Sequence, residues 1–583
     1  MKVLHGEKLC LNEQILAHLD NIYSGSDNQT LADSLCAIMC FEQSVEPVST
    51  HVNLWDQSDI VAITYGNSIV EQEAMPLDTL LTFFNKYIKD LVSIVHVLPF
   101  YPYSSDDGFA VINYTEVNQS LGSWQQIGQL SEQYAVMADL VINHCSSRSL
   151  WFDNYKQDKS PGAGYFIEMP ADADLSEVVR PRTSPLLRET ETLSGTKHVW
   201  CTFSHDQIDL NFANPQVLLE FVGIIKTYLD NGVSLFRLDA VAFLWKEPGT
   251  TCINLPQTHE IIRLLRLLIE HTNSKAIVIT ETNIPNKENL SYFGNANEAH
   301  WIYNFTLPPL ILYTLMSGRC HHLKQWLMSM PPAQNGTAYF NFIASHDGVG
   351  LRPVEGILTD EDVDQMADTV KQLGGEISWR KMSDGSHRPY ELNISLIDAM
   401  AGTFNGQDSY QFQRFVCAHA IMLSLEGVPA FYIHSLLGTH NDHNKKELSG
   451  HNRAINRHIW DFEELSSELT DETSLHGRVL FKLTGLIRLR KNQPAFHPNA
   501  TQFTMHFGES IFAFWRQSLD RRQSIFCLFN VTDQEQQVSL QDVNLIELDD
   551  WYDLISGYHF KESREEQLIL KPYEFVWISN IRS

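Results

Sequence analysis

Basic residues are the scarce class in this chain. Its 583 residues hold 42 Lys and Arg against 71 Asp and Glu, a formal charge of −29 with histidine neutral. Nucleic acid and anionic membranes both require basic patches, so neither is expected as a partner. An anionic substrate would have to be met by a local basic cluster working against the overall field. Cysteine is sparse and unpatterned: nine residues, scattered from Cys10 to Cys527 with no CxxC pair. That speaks against a disulfide framework or a zinc site. No apolar stretch reaches the ~18 residues of a membrane span. The opening MKVLHGEKLCLNEQ lacks the hydrophobic run of a signal peptide, and a cytoplasmic location is expected. Internal repeats and low-complexity tracts are missing too.

What the chain does have is apolar and aromatic mass, 43% and 11% of its residues. That is enough for one large core with one or two smaller modules. Leu16, Leu19 and Ile22, then Leu31, Leu35 and Ile38, recur at helical spacing, so residues 1–58 are expected to form a helical extension. Beyond it, short apolar runs alternate with amphipathic stretches. Strands are predicted at 59–65, 93–99, 135–143, 234–239, 276–281, 301–305, 337–345 and 428–433. Helices are predicted at 215–230, opened by Asn214, and at 259–271 and 410–425. Eight strands with intervening helices predict an α/β fold, either a (β/α)8 barrel or a doubly wound sheet.

Two connections are too long for ordinary loops, 145–209 and 347–409. In a barrel such insertions lie at the C-terminal rim of the strands, where active sites are built. From about Asn499 the pattern changes to strand alternation at 512–515, 524–530, 537–540 and 575–578, with a turn at Ile555-Ser-Gly557. The expected division is thus 1–58 helical extension; 59–498 barrel, with an insertion domain 145–209 and a long mobile loop region 348–409; and 499–583 C-terminal antiparallel β-sandwich.

Four clusters fall at or just beyond strand ends. They are Asp139-Leu-Val-Ile-Asn-His144, Phe236-Arg237-Leu238-Asp239-Ala240, Ile279-Thr280-Glu281 and Ala344-Ser345-His346-Asp347. Arg237 and Asp239 sit two apart on a strand and project to one face. The guanidinium is expected to keep Asp239 ionised, as a nucleophile must be, although a buried structural ion pair would look the same. Glu281 closes an apolar strand, where partial desolvation favours a proton donor; a Glu leaving the sheet for water is the alternative. His144, His346 and Asp347 could hold sugar hydroxyls. A retaining glycosidase needs an ionised carboxylate and a protonated one roughly 5–5.5 Å apart, and Asp239 and Glu281 on successive strands could meet that distance.

The wording and order of these clusters resemble the α-amylase superfamily, glycoside hydrolase family 13. Within it the chain looks most like the sucrose phosphorylase group, through His96-Val-Leu-Pro-Phe-Tyr-Pro, Asp106-Asp-Gly-Phe109, Leu121-Gly-Ser-Trp124, Arg180-Pro-Arg182, Gln207-Ile-Asp209 and Arg453-Ala-Ile-Asn-Arg-His458. The resemblance implies a (β/α)8 barrel with Asp239 as nucleophile, Glu281 as general acid/base and Asp347 as transition-state stabiliser. Asp106 and Arg453 would clamp the 4-hydroxyl end of a glucosyl unit. Phe109, His144, Arg237, Phe243 and His346 would complete its subsite. Arg182 and Tyr390 would form the phosphate site, with His387, Arg388 and Glu391 beside it.

Three positions depart from the group. Phe243 stands where a Tyr is common and Glu391 where a Gln is common. His387-Arg388-Pro389 is more basic than usual and could receive an anionic acceptor, or could be a solvent-facing loop. Asn143 is a calcium ligand in many amylases, but no partner ligands are identifiable, so no metal or cofactor is expected. The implied activity is glucosyl transfer from sucrose to inorganic phosphate, giving α-glucose 1-phosphate. The same chemistry on sucrose 6-phosphate, glucosylglycerate or glucosylglycerol comes next. An α-glucoside hydrolase or a non-catalytic sugar-binding barrel ranks lower. The expected partners are a small sugar and phosphate, the protein being a monomer or homodimer.

Overall fold

The computed structural model describes residues 10–25, 27–41, 51–181, 184–381, 386–543, 550–560 and 567–582. Eight parallel strands close into a barrel: β1 (Val61–Thr64), β2 (Ile94–Val97), β3 (Ala135–Leu140), β4 (Val233–Leu238), β5 (Ile277–Thr280), β6 (Trp301–Tyr303), β7 (Ala338–Asn341) and β8 (Val428–Tyr432), neighbours in sequence order. Seven fall inside predicted runs, and β4 begins one residue before its own, 234–239. The doubly wound alternative is thereby removed. Most strands are shorter than predicted, and all eight end earlier at the C-terminal side, because ladder pairing stops where the chain turns outward: Asn143, Asp239, Glu281 and Asp347 all lie past the last paired residue. Apolar side chains dominate, and β1, β2, β5 and β7 are buried along their whole length, as strands covered on both faces must be.

The chain divides into two compact units. The first comprises Met1–Val52, Val97–Thr282 and Leu290–Ile302, and the second Asn53–His96, Asn283–Asn289 and Tyr303–Ser583. In the first unit, α1 (Leu11–Ile22) and α2 (Asn28–Met39) bury Leu19, Ile22, Leu31 and Leu35 of the stripe read from spacing, while Leu16 and Ile38 are only half-buried and Ile15 and Met39 are buried in addition. Residues 1–9 and 42–50 of the expected extension lie outside the described residues. α1 docks on α4 (Pro256–Thr272), where His18 Nδ1 and Asn21 Nδ2 meet Glu260 Oε1 at 2.8 and 2.9 Å. The helix α3 (Pro215–Asp230) begins where Asn214 accepts from the Gln216 amide and has Pro at its first position, the pairing that favours a helix start.

In the second unit, the region expected to be a long loop carries regular structure. A capping box at Thr359 opens the helix α5 (Asp360–Gln372), and Val349–Gly350, His387–Asn393 and Glu376–Lys381 pair as a three-stranded antiparallel sheet. Near the C-terminus a six-stranded antiparallel sheet and a two-stranded ribbon, Gln536–Ser539 with Gln567–Leu570, share one core. Ile511 and Ala513, Phe526 and Leu528, and Val576 and Ile578 face it two apart on their strands, with Val538 and Leu570 from the ribbon, the period a half-buried strand requires. Among the described residues no helix is long and apolar enough to cross a membrane.

Candidate active site

In the first unit, register puts the two catalytic candidates side by side. Ile279 pairs with Arg237 and Thr280 with Leu238, and the Glu281 amide donates to Leu238 O at 3.1 Å. Glu281 and Asp239 therefore leave adjacent strands at the same level. Adjacent strands lie ~4.8 Å apart, close to the ~5–5.5 Å carboxyl separation of retaining glycosidases. Ala240, directly after Asp239, adopts a left-handed φ of 50°, a strained choice for a residue with a Cβ. That turn presents the Ala240 amide to Glu281 Oε2 at 2.9 Å.

Arg237 is the hub. It is 2% exposed, its Nη1 donates to Asp139 and, at 2.7 Å, to Asp239 Oδ1, and its Nη2 lies 3.9 Å from Glu281 Oε1. The expected lowering of the Asp239 pKa by Arg237 does not carry the day. Burial pushes that carboxyl well above its usual range, Glu281 and Asp139 add to the rise, and Arg237 opposes them. One cation faces three carboxyls out of water, and the net result is a raised Asp239 pKa. Asp139 is the member that sequence reasoning missed. The signal was present, since Asp139 opens the same strand-end motif as His144 and pairs in register with Arg237.

Around this hub the structure gathers most of the expected sugar-binding residues of the first unit. The Arg237 guanidinium lies 5.8 Å from the Phe109 ring centroid. His144 Nε2 meets Phe109 O at 3.0 Å and its Nδ1 meets Asn143 Nδ2 at 3.1 Å. That pattern suits the neutral tautomer with Nε2 as donor, and burial does hold the His144 pKa below its usual range. Gln207 donates to Asp106 Oδ2 at 3.2 Å and to Phe109 O at 3.3 Å. Phe203 bridges Phe243 and His144, with ring centroids at 5.7 and 5.2 Å. Asn143 is held by an ammonium: Lys246 Nζ donates to its Oδ1 at 2.6 Å and pairs with Asp209 Oδ2 at 2.6 Å, both charged groups fully buried. Among the described residues no group of three or more His, Cys, Asp or Glu could hold a metal ion.

The second unit holds Asp347, His346, Arg453 and Glu391. Arg453 Nη1 donates to Asp347 Oδ1, and Arg457 Nη2 stands 3.8 Å from the same oxygen. His346 Nε2 is 3.6 Å from it, with Tyr65 edge-on to the imidazole at 5.8 Å. Arg453 also forks onto Glu391, Nε to Oε1 at 3.1 Å and Nη2 to Oε2 at 2.6 Å. Glu391, expected beside the acceptor, is thus a buried partner of Arg453. Arg457 and Tyr65 were not anticipated; Arg457 is signalled only by lying in the Arg453–His458 motif. His387 and Arg388 are exposed, and Arg388 pairs with Asp360 at 2.7 Å. Tyr390 is half-buried between them and Glu391. Arg182 lies outside the described residues.

A closed parallel barrel with a buried carboxylate cluster past the ends of β4 and β5 is the site of a barrel enzyme that works on glycosidic bonds. Comparison with known proteins narrows this. The Alpha amylase, catalytic domain family matches residues 85–354, and the Maltogenic Amylase, C-terminal domain family matches residues 504–577. A glucosylglycerate phosphorylase of Escherichia coli is 39% identical, covering 97% of this chain and 100% of that protein. Another from Spirochaeta thermophila is 40% identical over 90% of this chain and 91% of its own. A sucrose phosphorylase of Streptococcus mutans is 28% identical, with 82% and 97% covered. The crystal structure of sucrose 6F-phosphate phosphorylase from Thermoanaerobacter thermosaccharolyticum superposes with a TM-score of 0.70 at 25% identity, covering 81% and 94%. The chain belongs to the α-amylase superfamily, glycoside hydrolase family 13, and is a glycosyl-transferring enzyme of its phosphorylase group.

Proposed function

We propose that this enzyme is a retaining glucosylglycerate phosphorylase, converting glucosylglycerate and inorganic phosphate to α-glucose 1-phosphate and glycerate. Sequence reading ranked sucrose first. The observation that reverses the order is the higher identity, over nearly the whole chain, to glucosylglycerate phosphorylases than to sucrose phosphorylases. Glu281 gives its proton to the glycosidic oxygen as an Asp239 oxygen attacks the anomeric carbon, so that the C–O bond breaks and glycerate leaves. A phosphate oxygen then attacks the β-glucosyl ester from the opposite face, returning its proton to Glu281 and freeing Asp239. Two inversions retain the α configuration. Arg237 supports this division, lying 2.7 Å from Asp239 and 3.9 Å from Glu281, because one of the adjacent carboxyls must start protonated and the other must ionise. Asp347 stabilises the oxocarbenium-like charge. Asp106, Phe109, His144, Phe243, His346 and Arg453 hold the glucose, and Arg182 with Tyr390 receives phosphate.

The test is release of glucose 1-phosphate from glucosylglycerate and from sucrose, each with and without phosphate. Phosphate-dependent release from glucosylglycerate, with sucrose far slower, is expected. Release from sucrose alone restores the first ranking. Free glucose at the same rate with or without phosphate means a hydrolase. Replacing Arg182 with Ala lowers phosphorolysis far more than hydrolysis if Arg182 holds phosphate.

A further inference from the structure

Glu391 has no part in the transfer chemistry, yet it is 2% exposed and doubly bonded to Arg453. The chain goes to some length to place it there. Its strand, His387–Asn393, runs from exposed to buried, and pairing with Glu376–Lys381 skips one residue, Tyr390, between Ser378↔Glu391 and Trp379↔Pro389. Such a bulge re-aims the side chains beside it. Gly348, directly after Asp347, lets the strand come close: a Cβ there would fall 2.6 Å from Glu391 Cγ and 2.7 Å from Leu392 O.

An arginine fork is a ready bidentate receptor for phosphate. If Arg453 holds glucose and phosphate is the second substrate, as proposed above, the fork could hold that anion in the sugar's place. Glu391 engages two of its nitrogens, Nε and Nη2, and Asp347 the third, Nη1. With Arg457 the group counts two carboxylates and two guanidiniums, leaving no net charge to draw an anion. A Gln at 391 would offer a single amide oxygen and leave one positive charge in excess.

We propose that Glu391 is a specificity-determining residue that neutralises the Arg453 fork and so keeps phosphate and other oxyanions out of the glucosyl subsite. Its purpose rests on the proposed phosphorolysis, but its test does not. Sulfate, which cannot act as acceptor, is titrated calorimetrically into wild type, Glu391→Gln and Glu391→Asp, with and without glucose. Glu391→Gln should bind sulfate at least about tenfold more tightly than wild type, as a charged hydrogen bond of ~1.5–3 kcal/mol requires, and glucose should compete. Glu391→Asp, which keeps the charge, should stay near wild type. Equal sulfate affinity in all three overturns the proposal, as does tight binding that glucose does not displace. If Glu391→Gln does not fold, the double variant E391Q/R453M, which removes both charges, must fold and bind sulfate no better than wild type; tight sulfate binding by it also overturns the proposal. Failure to phosphorolyse any glucoside would refute the proposed function and leave these sulfate affinities standing.

Discussion

Around Arg237 one guanidinium serves three carboxyls, whereas around Asp347 two guanidiniums serve two. The first group is almost dry, with Asp139 at 0% and Arg237 at 2% exposure, and its acid surplus adds to the rise that burial imposes on the Asp239 pKa. The second balances its charges, and Asp347 keeps a fifth of its side chain exposed. The difference fits the tasks proposed for the two groups. A group that must pass a proton to a leaving oxygen has to be unable to ionise fully. One that holds neutral hydroxyls and an incipient cation is better off electrically quiet, with its dipoles already aimed.

Removing the nucleophile breaks the comparison most severely. Asp239→Asn should lower kcat for glucosyl transfer by about 10⁴-fold or more, measured as product release at saturating substrate. A loss of only a few fold would remove Asp239 from the mechanism. Asp139→Asn tests whether the acid surplus matters: misplacing Arg237 should cost about 10²-fold in kcat. Because Asp239 must be ionised and its pKa is raised, the acid limb of kcat/KM should lie above the ordinary carboxylate range. Taking one negative charge away should move that limb to lower pH in Asp139→Asn, and an unmoved or rising limb contradicts the electrostatic account.

Outside both groups, Glu426 shows the same desolvation acting on a carboxyl with no guanidinium bonded to it among the described residues. Glu426 accepts from the Ala333 amide at 2.7 Å, and burial raises its pKa to about 7. Its folded pKa exceeds its unfolded one, so its stabilising contribution is complete below about pH 4.5 and is lost as pH rises through about 7. Glu426→Gln should therefore gain on the order of 2 kcal/mol over wild type at pH 8 and nearly nothing at pH 5, read from urea midpoints. The smallest effect is expected at Arg457, which donates to His346 O at 2.8 Å but approaches Asp347 only to 3.8 Å. Arg457→Gln should reduce kcat/KM by about tenfold and leave the acid limb in place.

How much of this was legible follows from range. The eight barrel strands, α1, α2 and α3 could be read because apolar period and N-caps act within a few residues. The Arg237–Asp239 pair could be read because strand geometry places residues two apart on one face, whereas the level at which Asp239 and Glu281 leave their strands came from register. The sheet inside 347–409 was not read, because its strands are held by partners on other strands. Nor was the Glu391–Arg453 fork, whose members are 62 residues apart. The ammonium at Asn143 comes from Lys246, 103 positions away, and nothing local marks either of them.

The sequence by itself carried the eight strands and, through its resemblance to a known family, pointed to the barrel, and it put Asp239, Glu281 and Asp347 forward as candidates, since each lies in a short motif at a strand end. Only the tertiary structure decided how charge is apportioned among them. Burial sets the cost of each ionised carboxyl, and burial and pairing are properties of the assembled chain: the same Asp beside the same Arg is readily ionised when wet, and resists ionisation when dry and flanked by two further acids.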